Sequence, residues 1–184
     1  MDLPKHVIKA AFIDRDGVLN HLVDRGDGFR PNGVPIRWTA PFNLLELNFK
    51  PGVREALEII GRKGYLRILV TNQPDVATGH IDSSEFARMM ARVGELPLDD
   101  VYVCTHRPDG DCACRKPAPG MLLAAQKKHG IDMSCSFMIG DMESDIRAGR
   151  AAGVRTVLVT DTLSVETSAD HQVSDIMRAA LLLP

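Results

Sequence analysis

The chain has 184 residues, of which 45% are hydrophobic, enough for one domain with a buried core. Its 22 basic and 24 acidic residues give a formal net charge of −2, which does not favour electrostatic binding to nucleic acid. The apolar runs are too short to span a membrane, and the N-terminus lacks the long apolar segment of a signal peptide. We therefore expect a cytoplasmic protein, a monomer by default, with neither nucleic-acid nor membrane partners.

The first predicted strand covers residues 7–13 and leads into two carboxylates, Asp14 and Asp16. A short apolar run bounded by glycine is typical of a buried strand, and Gly17 allows the chain to turn away sharply. In open α/β sheets, ligands bind outside the carboxyl ends of the strands. This acid pair is therefore a candidate site, and Asp14 is the candidate nucleophile.

The remainder of the chain alternates predicted helices and strands after a long predicted loop at residues 20–51, which carries Trp38. Strands are predicted at residues 65–70, 100–103, 136–139 and 154–159, and helices at residues 52–63, 83–93, 117–129, 143–152 and 172–182. This alternation is typical of parallel strands joined by right-handed crossovers. We expect an α/β fold, a Rossmann-like parallel five-stranded sheet with helices on both faces, in a single domain over residues 1–184.

Further polar residues follow the predicted strands. Thr71 comes after the second strand, Lys116 lies in the loop after the third, and Asp141 and Asp145 come after the fourth. Because the carboxyl ends of parallel strands share one edge, these side chains are expected to meet Asp14 there.

These residue types suit phosphoryl transfer. A carboxylate such as Asp14 can attack phosphorus and form an aspartyl-phosphate, and a second acid such as Asp16 can serve as general acid and base. Clustered carboxylates suit Mg²⁺, whereas a lysine and a hydroxyl stabilise charge on phosphoryl oxygens. The expected catalytic residues are therefore Asp14, Asp16, Thr71 and Lys116.

The order and spacing of these motifs resemble the four motifs of the haloacid dehalogenase superfamily. The motifs are Asp14-Arg15-Asp16-Gly17-Val18, Thr71, Lys116 and Gly140-Asp141-x-x-x-Asp145. Within that superfamily, Thr71-Asn72-Gln73, Cys104-x-His106, Cys112-x-Cys114 and Arg115-Lys116-Pro117 resemble the group of histidinol phosphatases and heptose-bisphosphate phosphatases.

The resemblance implies roles for individual residues. Asp14 would be the nucleophile and Asp16 the acid and base residue, with Thr71 and Lys116 on the phosphoryl group. Mg²⁺ would be bound by the Asp14 carboxylate, the Asp16 backbone carbonyl and Asp141. The strand order would be 3-2-1-4-5. The substrate-binding residues are expected to be Arg15, Asn72, Gln73 and Arg115.

A cluster of thiols and imidazole lies in the loop at residues 104–116. Its members are Cys104, His106, Cys112 and Cys114. In a cytoplasmic chain such clustering indicates a metal more than disulfides, although a Cys-x-Cys pair alone could be a redox pair. A closed set of three cysteines and one histidine matches a structural Zn²⁺ site, which would order this loop.

The lengths of the connecting segments leave no room for a large cap domain, so loops 20–50 and 104–116 are expected to set specificity. Arg25, Arg30, Arg37 and Trp38 are candidates for substrate contact in the first of these loops.

The substrate is expected to be a small phosphorylated sugar. The run at residues 71–79 and the motif Lys116-Pro117-x-Pro119-Gly120-Met121 resemble the heptose phosphatases, whereas the five residues between His106 and Cys112 resemble the histidinol phosphatases. We expect a Mg²⁺-dependent phosphatase that removes the 7-phosphate of D-glycero-D-manno-heptose 1,7-bisphosphate, with histidinol phosphate as the second candidate. A phosphotransferase and a non-catalytic zinc-stabilised binding domain remain as alternatives.

Overall fold

The computed structural model describes residues 7–30, 33–162 and 166–184. In chain order its strands and helices are β1 (Lys9–Ile13), β2 (Val23–Asp24), β3 (Trp38–Thr39), α1 (Val53–Arg62), β4 (Tyr65–Asn72), α2 (Asp75–Thr78), α3 (Ser83–Val93), β5 (Asp100–Cys104), α4 (Gly120–His129), β6 (Phe137–Gly140), α5 (Glu143–Ala152), β7 (Arg155–Val159), β8 (His171–Val173) and α6 (Ile176–Leu182). None of these helices is both long and apolar enough to cross a bilayer.

Six parallel strands form the central sheet, in the order β5-β4-β1-β6-β7-β8. The first five strands of this order correspond to the predicted 3-2-1-4-5 arrangement. The predicted number of five strands is wrong, because β8 adds a sixth strand at the edge beside β7. The Asp170 carboxylate binds both the backbone N–H and the hydroxyl of Thr156, at 2.7 and 2.8 Å, which fixes the segment before β8 against the sheet.

The last helix is correspondingly shorter than predicted. Residues 172 and 173 belong to β8, and α6 begins only at Ile176, with Asp175 as its N-cap. The Asp175 carboxylate accepts a hydrogen bond from the Arg178 N–H at 2.8 Å. A carboxylate at this position satisfies a free amide of the first turn and so favours the helix start that is observed.

Helices cover both faces of the sheet, as predicted. Successive side chains of β1 point to opposite faces, and four of its five residues are buried. Ile13 packs on the face covered by α1, α3 and α6, in a core that includes Leu57. Phe12 packs on the other face with Leu122 of α4 and the apolar side of α5. A strand buried on both faces is the central strand of an α/β sheet, which places its carboxyl end at the centre of one edge.

Loop 20–51 contains a short antiparallel hairpin of β2 and β3, which the sequence did not predict. An ion pair of 2.7 Å between Arg25 and Glu46 fastens the hairpin, and the Arg25 guanidinium lies 4.0 Å from the centre of the Phe42 ring. Between Gly17 and Thr71 the described residues hold this hairpin and α1, which agrees with the prediction that a large cap domain is absent.

Candidate active site

The carboxyl end of β1 places Asp14 between the ends of two neighbouring strands. Ile13 is aligned with Leu69 of β4 and with Ile139 of β6, and the Asp14 N–H donates to the Ile139 carbonyl at 2.9 Å. Thr71, near the end of β4, and Asp141, directly after β6, therefore reach the same edge as Asp14.

The turn after Asp14 approaches Asp141 so closely that only glycine fits at position 17. A Cβ atom added to Gly17 would lie 1.9 Å from Asp141 Oδ2, and the φ angle of Gly17 is +77°. Both the space and the backbone conformation exclude a side chain here. The loop from residue 17 onward is thus held against the acid that follows β6.

Lys116 connects two of the acids. Its ammonium nitrogen lies 2.8 Å from Asp14 Oδ1 and 2.6 Å from Asp145 Oδ1, and it donates to the Val70 carbonyl at 2.8 Å. Lys116 is only 4% exposed, and Asp145 is fully buried. Breaking a buried ion pair of this kind leaves an uncompensated charge, so the three side chains hold one another in place.

Asp145 was not among the expected catalytic or metal-binding residues, although the spacing Asp141-x-x-x-Asp145 was noted. Its second carboxylate oxygen accepts from the Met142 N–H at 3.0 Å, at the start of α5. Gly140 makes room for this arrangement, since a Cβ there would lie 2.2 Å from the Asp145 Cβ. Asp145 is therefore fixed as a partner of Lys116.

Asn72 is occupied by the backbone of Lys116. Its amide oxygen accepts from the Lys116 N–H at 3.1 Å, and its amide nitrogen donates to the Lys116 carbonyl at 3.0 Å. This residue was predicted to bind substrate; in the structure both polar atoms of its side chain position the loop that carries Lys116.

Asp16 is surrounded by hydrogen-bond donors. Its carboxylate accepts from Arg15 Nε at 3.1 Å, from Asn20 Nδ2 at 3.0 Å and from Gln73 Nε2 at 2.7 Å. Arg15, Asn20 and Gln73 are all fully buried. Two of them were predicted to contact substrate, but the structure places both beneath the site, behind Asp16.

Two further residues of the site were missed by sequence reasoning. Asn20 lies four residues after Asp16 and returns to it because the Gly17 N–H donates to the Asn20 carbonyl at 3.0 Å. The Lys50 ammonium donates to the Gly17 carbonyl and lines a cleft with Asp141. Lys50 ends the long loop, where the sequence offers no periodic pattern to indicate its position.

The cluster contains more carboxylates than the one lysine can neutralise, and burial together with this excess negative charge raises the pKa values of two of them. Ligand atoms of Asp14, Asp141 and Asp145 lie within 4.8 Å of one another. Burial, followed by repulsion from Asp14 and Asp145, raises the pKa of Asp141 to about 8. Burial also raises the pKa of Asp14 to about 6, although Lys116 opposes this and the other acids reinforce it.

The Lys116 ammonium is held charged in this setting. Burial alone lowers a lysine pKa, but the adjacent Asp14 and Asp145 carboxylates outweigh it and raise the pKa of Lys116 above its ordinary value. One ammonium still leaves the acid cluster with excess negative charge. This oxygen-rich donor set fits a hard divalent cation such as Mg²⁺.

The predicted zinc ligands also lie together. Ligand atoms of Cys104, His106, Cys112 and Cys114 are within 4.8 Å of one another. The sulfurs of Cys104 and Cys112 are 3.8 Å apart, and His106 Nδ1 lies 3.4 Å from the Cys104 sulfur and 3.2 Å from that of Cys114. Sulfur atoms about 3.8 Å apart are expected around tetrahedral Zn²⁺ with Zn–S bonds of about 2.3 Å. The donor set therefore fits zinc.

One cleft adjoins the acid cluster and a second does not reach it, but Trp38 lines both. One, of about 420 Å³, includes Gly17, Lys50 and Asp141, and the other, of about 440 Å³, includes Arg115. Trp38 is 53% exposed, so its indole is available at the rim. The hairpin formed by β2 and β3 thus forms part of the wall of the site.

The arginines of the long loop differ in their availability. Arg25 is paired with Glu46, and Arg37 is paired with Asp24 at 3.0 Å, whereas Arg30 is exposed. The pairing of Arg25 and Arg37 within the hairpin indicates that they support its structure.

Comparison with known proteins identifies relatives over nearly the whole chain. Residues 113–179 match the HAD-hydrolase-like family. A D-glycero-beta-D-manno-heptose-1,7-bisphosphate 7-phosphatase from Photorhabdus laumondii is 36% identical over 96% of this chain and 94% of its own length. The D-glycero-alpha-D-manno-heptose-1,7-bisphosphate 7-phosphatase of Burkholderia mallei is also 36% identical, over 88% of this chain and 86% of its own.

Solved structures share the fold. A D,D-heptose 1,7-bisphosphate phosphatase from B. bronchiseptica, in complex with magnesium and phosphate, superposes with a TM-score of 0.76 at 24% identity, over 95% of this chain and 97% of that one. A HAD-like phosphatase from Mesorhizobium loti gives a TM-score of 0.73 at 26% identity, over 96% of this chain and 88% of that one. Both cover the sheet and its flanking helices.

Proposed function

We propose that this chain removes the 7-phosphate from a D-glycero-D-manno-heptose 1,7-bisphosphate. The chain belongs to the HAD-like phosphatase family, which includes the 7-phosphatases of this heptose bisphosphate. The observation that carries this proposal is the sequence identity to two relatives named as such phosphatases, 36% and 35%, in each case over 96% of this chain. The acid cluster around Asp14 and Lys116 supplies the groups that the reaction needs.

Mg²⁺ is the proposed cofactor. The acid cluster fits it, and the structural relative from B. bronchiseptica holds magnesium together with phosphate. Asp14, Asp141 and the Asp16 backbone carbonyl would hold the ion here. When bound, it would neutralise charge on the phosphoryl oxygens and among the acids.

The first half of the proposed reaction transfers the phosphoryl group to the protein. A carboxylate oxygen of Asp14 attacks phosphorus, the bond between phosphorus and the sugar oxygen breaks, and an aspartyl-phosphate forms. Asp16 gives a proton to the departing sugar oxygen. Lys116 keeps Asp14 oriented, and with Thr71 it stabilises charge on the phosphoryl oxygens.

The second half returns the protein to its starting state. Asp16, now ionised, accepts a proton from water, whose oxygen attacks the phosphorus of the aspartyl-phosphate. The bond between phosphorus and Asp14 breaks, and inorganic phosphate leaves. Each residue thus ends the cycle in the protonation state in which it began.

We assign zinc to the cluster of Cys104, His106, Cys112 and Cys114, with a structural role. All four ligands come from the protein, so the ion would have no open position for water. Arg115 follows the last of these ligands and lines the second cleft, where its Nη1 atom is buried without a hydrogen-bond partner in the described residues. Zinc would therefore position Arg115 to bind an anionic group of the substrate.

A phosphate-release assay with Mg²⁺ tests the substrate. The panel comprises the alpha and beta anomers of D-glycero-D-manno-heptose 1,7-bisphosphate, several sugar monophosphates and histidinol phosphate. We expect the highest kcat/KM on one heptose bisphosphate anomer, with release of the 7-phosphate. A strong preference for histidinol phosphate would overturn the proposed substrate but leave the phosphatase chemistry intact.

A further inference from the structure

Gln73 lies beneath two residues of the proposed mechanism and is itself shielded from substrate. Its side chain is fully buried. Its amide nitrogen donates to Asp16 Oδ2 at 2.7 Å and to Thr71 Oγ1 at 2.9 Å, and its amide oxygen accepts from Arg15 Nη2 at 2.8 Å. All polar atoms of the side chain are therefore engaged, and none can contact the phosphoryl group.

Arg15 determines which way the Gln73 amide faces. A guanidinium is always charged and only donates hydrogen bonds, so the atom of Gln73 that faces it must be the amide oxygen. The amide nitrogen then has to face Asp16 and Thr71. Arg15 is itself fixed, because Nε and Nη2 donate to Asp16 at 3.1 and 3.0 Å and Nη1 lies 3.8 Å from the Met90 sulfur.

This orientation has a consequence for Thr71. Its hydroxyl oxygen accepts a hydrogen bond from Gln73, so one lone pair is engaged from beneath. The hydroxyl proton of Thr71 is then free to be donated elsewhere. A phosphoryl oxygen needs such a donor, whereas a hydroxyl that donated to a buried acceptor could not provide one.

The same orientation restricts Asp16. Its carboxylate receives N–H groups from Gln73, Arg15 and Asn20, all of which are buried. These donors limit rotation of the carboxylate, whose side chain remains 14% exposed. Effective proton transfer depends on such placement within hydrogen-bond reach.

We propose that Gln73, oriented by Arg15, is a positioning residue that makes Thr71 a hydrogen-bond donor toward the phosphoryl group and holds Asp16 in place for proton transfer to the leaving alcohol. This inference rests on the proposed function, because it assumes phosphoryl transfer to Asp14. Gln73 and Arg15 thus act through Thr71 and Asp16 and do not contact the substrate.

The test compares two leaving groups. One substrate is the sugar phosphomonoester that the wild-type chain hydrolyses fastest, whose alkoxide leaves only with a proton. The other is p-nitrophenyl phosphate, whose leaving group departs readily without one. Release of each alcohol is measured in a single turnover, before the aspartyl-phosphate is hydrolysed, because Asp16 also acts as the base in that second half. A defect in Asp16 as proton donor then slows only the first substrate strongly, whereas a defect in Thr71 slows both.

The first variant is Gln73→Met, which keeps the size of the side chain and removes its donors. In single turnovers we expect the rate of sugar-alcohol release to fall about 100-fold, the lower range for general acid–base catalysis, and the rate of p-nitrophenol release to fall about 10-fold or less. In an Asp16→Asn background, the same substitution should lower both rates by one common factor, because the proton donor is already absent.

Asn20→Ala is the second variant and tests the placement of Asp16 alone. Asn20 donates to Asp16 and to the His21 carbonyl, and the structure records no contact between it and Thr71. In the same single-turnover measurement we expect slower release of the sugar alcohol with little change in the release of p-nitrophenol. Urea unfolding of each variant checks that the fold persists, and Asn20→Ala carries the test if Gln73→Met does not fold.

Two results would overturn the inference. One is that Gln73→Met and Asn20→Ala each slow release of the sugar alcohol and of p-nitrophenol by the same factor. The other is an additional, substrate-selective loss from Gln73→Met when Asp16 is already replaced. Neither result bears on the proposed function, which fails separately if the wild-type chain does not prefer a heptose bisphosphate or if Asp14→Asn retains turnover.

Discussion

The acid cluster and the cysteine loop are both candidate metal sites, but they are assembled in different ways. The acids come from the ends of β1 and β6 and from α5, elements that lie far apart in the chain and meet through the sheet. The cysteine loop supplies Cys104, His106, Cys112 and Cys114 from one short segment, and residues 105–119 contain neither helix nor strand. The first site is therefore held by several strand and helix ends, whereas the second lies within one loop, which begins at the buried end of β5 and is fixed by Asn72 at Lys116.

The two sites also differ in how charge is balanced. Lys116 lies 2.8 and 2.6 Å from two of the acids, so the acid cluster already contains a cation of its own. The sulfurs of the cysteine loop contact one another and His106, and a bound metal ion would take the place of the thiol protons. On the proposed assignments, Mg²⁺ would serve chemistry on a scaffold that exists without it, whereas zinc would complete part of the scaffold.

The largest expected effect concerns the acid cluster. Asp14→Asn removes the proposed attacking carboxylate, and we expect phosphate release to fall by about 10⁴-fold or more. The fold should persist, because the amide is nearly the same size and relieves repulsion of Asp141 and Asp145. Phosphate release and urea unfolding measured on the same preparation check both expectations.

The control for Asp14→Asn is Asp27→Asn, the same chemical change at a side chain that is 94% exposed in the long loop. It should leave the rate unchanged. Substantial turnover by the Asp14 variant would show that another group attacks phosphorus.

A smaller effect is expected in the cysteine loop. Cys112→Ser removes one of the proposed zinc ligands, so the bound zinc should fall well below the single ion per chain that this site can hold. We expect kcat/KM to fall about 10- to 100-fold, the range for disturbed support of a metal site, since Arg115 loses its fixed position. Metal analysis and steady-state kinetics with saturating Mg²⁺ measure the two effects.

Cys135→Ser is the matched control, because Cys135 is a free thiol outside the four-residue cluster. It should retain zinc and activity. Retention of zinc by the Cys112 variant, or full activity after complete zinc loss, would contradict the structural role of the ion.

Much of the fold could be read from the sequence because its strands are buried and strongly apolar. The run that ends at Ile13 and the strand that ends at Asn72 belong to the centre of the sheet, where burial on both faces gives a clear pattern. The edge strand β8 has three residues, and β2 and β3 have two each, which is too short for any periodicity. The helix predicted from residue 117 begins at Gly120, because the chain first turns at residues 115–118, where the Ala118 N–H donates to the Arg115 carbonyl at 2.8 Å.

The site was predictable to the extent that its residues follow strands. Asp14, Thr71 and Asp141 meet because parallel strands end at one edge, a property of topology that needs no knowledge of distances. Asn20 reaches Asp16 through a tight turn, and Gln73 reaches Asp16 from the end of the neighbouring strand β4. Such contacts depend on the direction of a side chain from its backbone, and a strand pattern does not encode whether a polar residue faces the cleft or the interior.

The smallest expected effect is on stability: the gain in stability from Mg²⁺ should depend on pH, because the acid cluster titrates. The folded chain raises the pKa of Asp14 to about 6 and that of Asp141 to about 8, both above the ordinary value of 3.8. Between about pH 4 and pH 8 the metal-free folded state therefore holds more protons than the unfolded state, and its stability falls as the pH rises.

Mg²⁺ replaces these protons and so should stabilise the chain more at pH 8.5 than at pH 5.5. A tenfold tighter apparent Kd at the higher pH corresponds to about 1.4 kcal/mol, or an additional rise in Tm of roughly 3–5 °C for a chain of this size. Thermal unfolding with and without Mg²⁺ at both pH values measures this difference. Asp141→Asn should reduce it, because the amide does not titrate, and an equal Mg²⁺ effect at the two pH values in the wild-type chain would contradict binding at these acids. The cysteine loop supplies the internal comparison, since Cys112→Ser leaves both acids in place and should preserve the pH dependence of the Mg²⁺ effect.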